Sequence, residues 1–206
     1  TDAVINGELA NAFCAVRPPG HHAMRRKAMG FCFFNNVAVA VKHAIHQHGL
    51  ERVAVVDFDV HHGNGTEDIL SADDRVLMVS FFQHPFYPYT GTENPASNMV
   101  NIPVPAHSNG EMIRALVRNS WLPALEAFRP EFIFISAGFD AHEADMLAQL
   151  ELVEEDYAWI TTELVQVAKK HAQGRMVSCL EGGYHLGALA SSSLAHVQAL
   201  MKAVSE

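Results

Sequence analysis

The chain has 206 residues, of which 49% are hydrophobic and 18% are charged, and this length predicts one globular domain over residues 1–206. Its 14 basic and 23 acidic residues give a formal net charge of −9, which argues against a protein that binds nucleic acid through phosphate contacts. No apolar run approaches the roughly 18 residues that a membrane span needs, so we expect no association with a membrane. Three widely spaced cysteines, Cys14, Cys32 and Cys179, lie in apolar segments and predict buried free thiols in the cytoplasm, a reducing compartment.

Short apolar runs alternate along the chain with longer amphipathic segments. The apolar runs predict buried strands, at residues 12–16, 52–59, 75–81, 132–137 and 175–180. The amphipathic segments predict helices, near residues 35–48, 109–128, 154–172 and 187–204. This alternation predicts an α/β fold of three layers, in which helices cover both faces of a mainly parallel sheet. Ligands bind such sheets at the carboxyl ends of the strands, where polar residues of this chain gather.

The loop after the first predicted strand reads Arg-Pro-Pro-Gly-His-His over residues 17–22. Its prolines stiffen the backbone and Gly20 permits a sharp turn, so His21 and His22 can face the same pocket. Because imidazoles titrate near neutral pH, one or both could act as general base and general acid. The competing interpretation is a loop with two solvent-exposed histidines.

The end of the second predicted strand carries two carboxylates and an imidazole. Side chains alternate along a strand, so Asp57, Asp59 and His61 should share one face while Phe58 and Val60 point the other way. Burial of an unpaired carboxylate is costly, and a bound cation removes that cost. The segment therefore indicates a metal site, with a salt-bridged or capping cluster as the alternative.

Two later strand ends extend this prediction. Asp140 follows strand 132–137 and by itself could cap the next element, but with Asp59 and His61 it completes three ligands. Three ligands with an open fourth position describe a catalytic zinc site, although manganese, iron or cobalt would also suit the set. Tyr184 ends a Glu-Gly-Gly-Tyr turn and could donate a hydrogen bond to an oxyanion, unless it is an ordinary surface tyrosine.

Taken together, five segments resemble the histone deacetylase family, in the family's order: residues 17–22, 30–36, 57–65, 136–141 and 180–184. The sequences of these segments are similar to those of class II enzymes and of bacterial deacetylase-like amidohydrolases. The resemblance covers essentially the whole chain and implies an arginase/deacetylase-like fold that lacks the family's N-terminal portion. It also implies a zinc-dependent amidohydrolase that removes acetyl groups from acetyl-lysine and releases acetate. Acetylpolyamines or other small acetylated amines are the alternative substrates.

The resemblance implies a role for each site residue. The catalytic residues would be His21, His22, Asp57, Asn64 and Tyr184. The zinc ligands would be Asp59, His61 and Asp140. The acyl-lysine tunnel would be lined by Gly30, Phe31, Tyr87 and Gly182. A structural potassium ion would be held by main-chain oxygens of Asp57, Asp59, His61 and Phe81 and by the hydroxyl of Ser80.

Two positions and one segment depart from the family's usual pattern. Asn64 stands where many relatives have Asp, and because an amide cannot stabilise an imidazolium as a carboxylate does, we expect His22 to lose its proton more easily. Tyr87 replaces the usual Phe, and a hydroxyl at the tunnel rim should be tolerated. Residues 143–148 differ from the glycine-rich segment of many relatives, so the substrate preference is left open.

Two further functions compete with a deacetylase. A binuclear manganese hydrolase of the arginase type would share the sheet but would need more carboxylates, to bridge a second metal ion. A catalytically silent module that binds acetylated lysine would need none of the catalytic groups. The metal content and the turnover of the protein separate these alternatives. The sequence does not indicate an oligomeric state.

Overall fold

In the computed structural model, which describes residues 1–202, six parallel strands form one sheet. The strands are β1 (Asn11–Cys14), β2 (Val53–Asp57), β3 (Val76–Gln83), β4 (Met99–Val104), β5 (Phe132–Ala137) and β6 (Met176–Leu180). Their order across the sheet is β1-β6-β5-β2-β3-β4, and every neighbouring pair is parallel. The predicted fold class is confirmed.

Helices cover both faces of this sheet. They are α1 (Asp2–Ile5), α2 (Asn36–His48), α3 (Asn64–Leu70), α4 (Gly110–Leu116), α5 (Leu122–Phe128), α6 (Glu154–His171) and α7 (Leu186–Lys202). A π-helical turn, Val117–Trp121, joins α4 to α5 within the segment predicted as one helix over 109–128. The predicted end of the last helix, at residue 204, lies outside the described residues. None of the described helices combines the length and the apolarity that a membrane crossing requires.

Two apolar cores flank the sheet because strand residues alternate between its faces. On one face, Val37, Val41 and Ile45 of α2 pack with Val55 and Phe134. Their spacing of four residues places these three side chains on one side of the helix. The other face packs against α4 to α7, and its core includes Trp121, whose ring stacks on Phe81 at 5.5 Å. This packing fixes the strands whose ends carry the polar residues.

A row of polar and thiol side chains crosses the sheet at a single level, one residue from each strand. In spatial order the row is Cys14, Cys179, Ser136, Asp57, Ser80 and Asn101, and each neighbouring pair is in register. Residues in register on parallel strands point to the same face. Strands β1 and β2 end at this level, β5 and β6 continue for one more residue, and β3 and β4 continue for three.

The prediction of buried free thiols is confirmed for two of the three cysteines. All three are free, and Cys32 and Cys179 are buried. Cys14 is only partly buried, because β1 is an edge strand and has a neighbour on one side only.

Candidate active site at the carboxyl edge of the sheet

The three predicted metal ligands converge just beyond the carboxyl ends of two neighbouring strands. Asp59 and His61 follow β2, and Asp140 follows β5. His61 Nδ1 lies 2.9 Å from Asp59 Oδ1 and 3.2 Å from Asp140 Oδ2. One donor atom from each residue lies within 4.8 Å of the other two, a spacing that one metal ion can bridge. Asp140 lies in the long loop before α6 and caps no helix, so the capping interpretation is wrong.

The donor set fits a divalent cation. Asp57, Asp59 and Asp140 are fully buried, and among residues 1–202 no group donates a hydrogen bond to Asp140 Oδ2. Burial raises the pKa of Asp140, and the negative charge of Asp59 raises it further. Buried carboxylates this close together are costly unless a cation neutralises them. Two carboxylates and one imidazole suit a catalytic Zn²⁺, which takes its remaining ligand from water or substrate.

Main-chain N–H groups orient the two ligand carboxylates. Gly182 N donates to Asp59 Oδ2 at 2.8 Å, and Val60 N donates to Asp140 Oδ1 at 3.0 Å. Position 182 requires glycine, since a Cβ atom there would collide with Asp140 Oδ2. These contacts turn Asp59 Oδ1 and Asp140 Oδ2 toward His61.

His21 is paired with carboxylates on both ring nitrogens. Its Nδ1 lies 3.0 Å from Asp57 Oδ2 and its Nε2 lies 3.6 Å from Asp59 Oδ1. Burial alone would lower the pKa of His21, but the charges of Asp59 and Asp57 outweigh burial and raise it well above its usual value. In the absence of another cation, His21 therefore holds a proton at neutral pH.

His22 has a neutral partner instead. Its Nδ1 lies 2.7 Å from Asn64 Oδ1, so the ring donates from Nδ1 and leaves Nε2 as an acceptor. Burial, and then repulsion from the charge of His21, lower the pKa of His22 to about 3. The Asn64 hydrogen bond itself raises this pKa, so the expectation that His22 loses its proton more easily with Asn than with Asp at position 64 stays a prediction. Because His21 and His22 are 2% and 4% exposed, the interpretation as an exposed loop is wrong.

Sequence reasoning gave no role to Glu181, although the residue lies in a quoted motif. Its Oε2 accepts from the main-chain nitrogens of Gly20 at 2.6 Å and His21 at 3.0 Å, and its Oε1 accepts from Ser136 Oγ at 3.0 Å. Burial raises the pKa of Glu181 to about 7. This side chain ties the histidine loop to the ends of β5 and β6. Its position directly after strand 175–180 was the only signal in the sequence.

Tyr184 lies at the turn between β6 and α7. Burial raises the pKa of its phenol well above the usual value, and the charges of Asp59 and Asp140 add to this, so the hydroxyl stays protonated. Its ring lies 6.1 Å from that of Phe31. A protonated phenol in this environment can donate a hydrogen bond to a developing negative charge.

Asp145 is a second residue that sequence reasoning missed. Its Oδ2 accepts from the main-chain nitrogens of Tyr184 at 2.7 Å and His185 at 3.1 Å, and its Oδ1 accepts from Leu147 N at 3.0 Å. The buried carboxylate therefore joins the loop after Asp140 to the turn that carries Tyr184. The residue falls in the segment 143–148 that departs from the family's pattern.

A cavity of about 530 Å³ reaches His61 from the surface. The residues that line it are Gly30, Phe31, His61, Phe86, Tyr87 and Leu147. Its volume lies in the range of roughly 300–1,000 Å³ that is typical of small-ligand pockets. Gly30 has a φ of +56°, and a Cβ atom there would collide with the ring of His22. Gly30, Phe31 and Tyr87 thus line one cavity, and their role in binding an acyl-lysine stays a prediction.

Gly182, the fourth residue predicted for the tunnel, lies against the ligand carboxylates and is not among the residues that line this cavity. Phe86 was not predicted, although it precedes Tyr87 in sequence, and its ring stacks on His61 at 5.4 Å. Leu147 comes from the loop after Asp140.

The residues predicted to hold potassium lie around the ends of β2 and β3. Asp57 and Ser80 are neighbours in register, and the Ser80 hydroxyl donates to Asn101 Oδ1 at 3.2 Å. Phe81 follows on β3, and Asp59 and His61 follow β2. The potassium site stays a prediction.

Comparison with known proteins agrees with this geometry. The family described as the histone deacetylase domain matches residues 1–200. The histone deacetylase-like amidohydrolase of Pseudomonas aeruginosa is 43% identical over 190 residues, which are 89% of this chain and 50% of the relative. The polyamine deacetylase HDAC10 of Mus musculus is 40% identical over 213 residues, which are 97% of this chain and 31% of the relative.

Among solved structures, the HDA15 HD domain matches with a TM-score of 0.88 and 36% identity, over 97% of this chain and 59% of that chain. The chain therefore spans between 31% and 59% of the length of these three proteins. The family match extends over nearly all of the chain, and the motifs that carry it form one cluster at the edge of the sheet. The chain belongs to the histone deacetylase family.

Proposed function

We propose that this chain provides the catalytic centre of a zinc-dependent deacetylase, which hydrolyses the amide of acetyl-lysine to acetate and a free amine. The observation that carries the proposal is the convergence of Asp59, His61 and Asp140 beside two histidines with different partners. Membership of the histone deacetylase family supports the same reaction class.

The two histidines are suited to different tasks. Zinc, when bound, would polarise the acetyl carbonyl and lower the pKa of a water molecule. His22 is neutral at pH 7, and its Nε2 can accept the proton of that water while Nδ1 donates to Asn64. His21 lies between Asp57 and Asp59, whose negative charges favour its protonated form in the absence of another cation. The pair then returns a proton to the leaving amine.

Tyr184 supplies the remaining donor. Its hydroxyl stays protonated and can donate to the carbonyl oxygen as negative charge develops there. A single donor of this kind contributes about 3–4 kcal/mol to transition-state stabilisation. Asp145 and Gly182 hold the surrounding backbone in place through their hydrogen bonds.

The lining of the cavity favours acetyl-lysine over acetylated polyamines. The tetramethylene stem of a lysine side chain is apolar and suits walls made of Phe31, Tyr87 and Leu147. A polyamine carries further ammonium groups, whose desolvation requires carboxylate partners. The residues that line the cavity include no carboxylate. Small acetylated amines are the second candidate, supported by the identity to a relative named as a polyamine deacetylase.

The surroundings of the ligand cluster favour one metal ion over two. Asp57 is bonded to His21 and His62 points away from the cluster, with Nδ1 2.8 Å from Thr90 Oγ1 and Nε2 2.7 Å from Glu67 Oε2. The carboxylate of Asp57 is thus engaged with His21, and position 62 carries an imidazole that points away from the cluster. Neither side chain is free to bridge a second ion. We expect one divalent ion at this centre, in contrast to a binuclear hydrolase.

The first experiment measures the metal content of the natural full-length protein and its turnover of a fluorogenic acetyl-lysine peptide, with and without a hydroxamate. We expect one zinc ion at the buried centre and hydrolysis that the hydroxamate blocks. The same assay with an acetylated polyamine ranks the two substrate classes. Bound zinc without turnover of either substrate would contradict the proposal and favour a binding module. Two manganese ions at the buried centre would favour the arginase type.

A further inference from the structure

A second cluster of histidine and carboxylate lies on the surface where α1 meets the end of α2. His43 Nε2 lies 2.6 Å and His48 Nε2 lies 2.8 Å from the same atom, Asp2 Oδ1. The two imidazole rings are 5.4 Å apart and inclined at 70°. One donor atom from each of the three residues lies within 4.8 Å of the other two, as in the buried cluster.

This cluster lies at the opposite edge of the sheet from the catalytic histidines. The start of α2 is anchored beside the buried site, where the Asn35 side chain donates to Ala23 O and Thr66 Oγ1. The 13 residues of α2 then rise by about 20 Å along its axis. His48 is the last of them, and β2 begins shortly afterwards.

The helix does not by itself bring the two histidines together. Residues five apart on an α-helix point in directions about 140° apart. His43 and His48 nevertheless present the same nitrogen to one carboxylate oxygen, because His48 is the final residue of the helix and both rings turn toward Asp2. The convergence therefore depends on a residue that lies about forty positions away in sequence.

Two ring nitrogens and one carboxylate oxygen that converge in this way also offer three ligand atoms to one metal ion. If both imidazoles were protonated to pair with the one carboxylate, their positive charges would repel each other. A single divalent cation held by the same three atoms removes that repulsion. The side chains of Asp2, His43 and His48 are 59%, 40% and 22% exposed, so an ion can enter from solvent and keep water as its remaining ligands.

We propose that Asp2, His43 and His48 form a second divalent-metal site, which ties α1 to the end of α2. Two imidazole nitrogens and one carboxylate oxygen suit ions such as Zn²⁺, Cu²⁺ and Ni²⁺ better than Mg²⁺ or Ca²⁺, which prefer oxygen ligands. The proposal does not depend on the reaction at the buried centre.

The test is a Zn²⁺ titration of the metal-free protein by calorimetry, for the wild type, His43→Ala and His46→Ala. His46 is a matched control, because it lies on the same helix between the two proposed ligands, is exposed and takes no part in the cluster. We expect His43→Ala to bind one zinc ion fewer per chain than the wild type, and His46→Ala to bind as many as the wild type.

A second set of variants tests the donors one by one. His48→Ala and Asp2→Asn should each weaken the same binding event by at least about tenfold, the smallest loss that metal sites show when even an outer partner is removed. Turnover should be unchanged in these variants, because the cluster lies at the other edge of the sheet. Equal zinc stoichiometry and affinity in the wild type and in His43→Ala would overturn the proposal and leave the contacts as surface ion pairs.

Discussion

Histidine and carboxylate side chains meet at both edges of this sheet, but the two clusters are built differently. At the carboxyl edge, Asp59 and Asp140 are fully buried, and a main-chain N–H from another segment orients each of them. At the amino edge, the side chain of Asp2 is 59% exposed and contacts the two histidines themselves.

The difference shows which of the two clusters lowers the folding stability of the protein for the sake of function. Buried carboxylates destabilise a protein unless they are paired, so their presence indicates selection for a site and not for the fold. The side chains of an exposed cluster lose little hydration on folding, and their contacts contribute little to folding stability in the absence of an ion. We therefore expect substitutions at the carboxyl edge to change chemistry strongly, and substitutions at the amino edge to change metal binding alone.

The largest effect should come from Asp140→Asn. Loss of one charged ligand should remove the buried metal and lower turnover by more than the roughly 100-fold that removal of an outer partner costs. The metal-free variant should melt no lower than the metal-free wild type, since a buried carboxylate without a hydrogen bond on Oδ2 has been neutralised. Metal analysis, turnover and thermal melting test this. An unaltered metal content would exclude Asp140 from the ligand set, and Asp2→Asn, which should keep the turnover of the wild type, is the control for activity at the other edge.

Tyr184→Phe should separate metal binding from catalysis. The phenol is the donor proposed for the developing oxyanion, so its removal should lower kcat by about 100- to 1,000-fold. The buried metal should stay bound, because the hydroxyl is not a ligand. Metal content and steady-state kinetics on the acetyl-lysine peptide provide the measurement. A rate equal to that of the wild type would show that another group stabilises the oxyanion.

Asp145→Asn tests whether the hydrogen bonds to the backbone matter for the chemistry. The variant keeps one carbonyl oxygen but loses the negative charge of the carboxylate whose Oδ2 accepts hydrogen bonds from Tyr184 N and His185 N. We expect kcat to fall about tenfold, which corresponds to roughly 1.4 kcal/mol, while zinc is retained. Glu143→Gln, in an exposed position of the same loop, is the matched control. Equal values of kcat in the two variants would rule out a positioning role for Asp145.

The smallest effect should be the change in pH dependence caused by Asn64→Asp. A carboxylate beside Nδ1 favours the charged ring, so it should raise the pKa of His22 from its value of about 3. Since the reaction needs neutral His22, the acid limb of kcat/KM should move to higher pH in the variant. In the wild type, His22 stays neutral down to acidic pH and should not set that limb. Profiles that coincide would show that the Asn64 contact does not tune His22.

Much of the fold could be predicted from the sequence because the central strands are buried on both faces and read as continuous apolar runs. The edge strand β4 was missed, since only its end residues Met99 and Val104 are buried and since Pro103 reads as a loop. The helix α3 was missed as well, because it begins with Asn64 and Gly65, a pair typical of turns.

The ligands and the histidine pair could be predicted because each lies in a local motif. The residues that support them could not, because Glu181 and Asp145 act through hydrogen bonds to residues 161 and 39 positions away. The π-helical turn at Val117–Trp121 also has no pattern that distinguishes it from a continuous helix.

The polar row that crosses the sheet limits which changes in chain length this protein can accept. Asp57 lies level with Ser80 and Ser136, on the face that packs against α2. Because side chains alternate, one inserted or deleted residue within β2 would turn Asp57 into the opposite apolar layer and bring a valine to the site. Insertions should therefore be tolerated in the loops but not within the strands, where the count of residues determines which side chains reach the candidate active site.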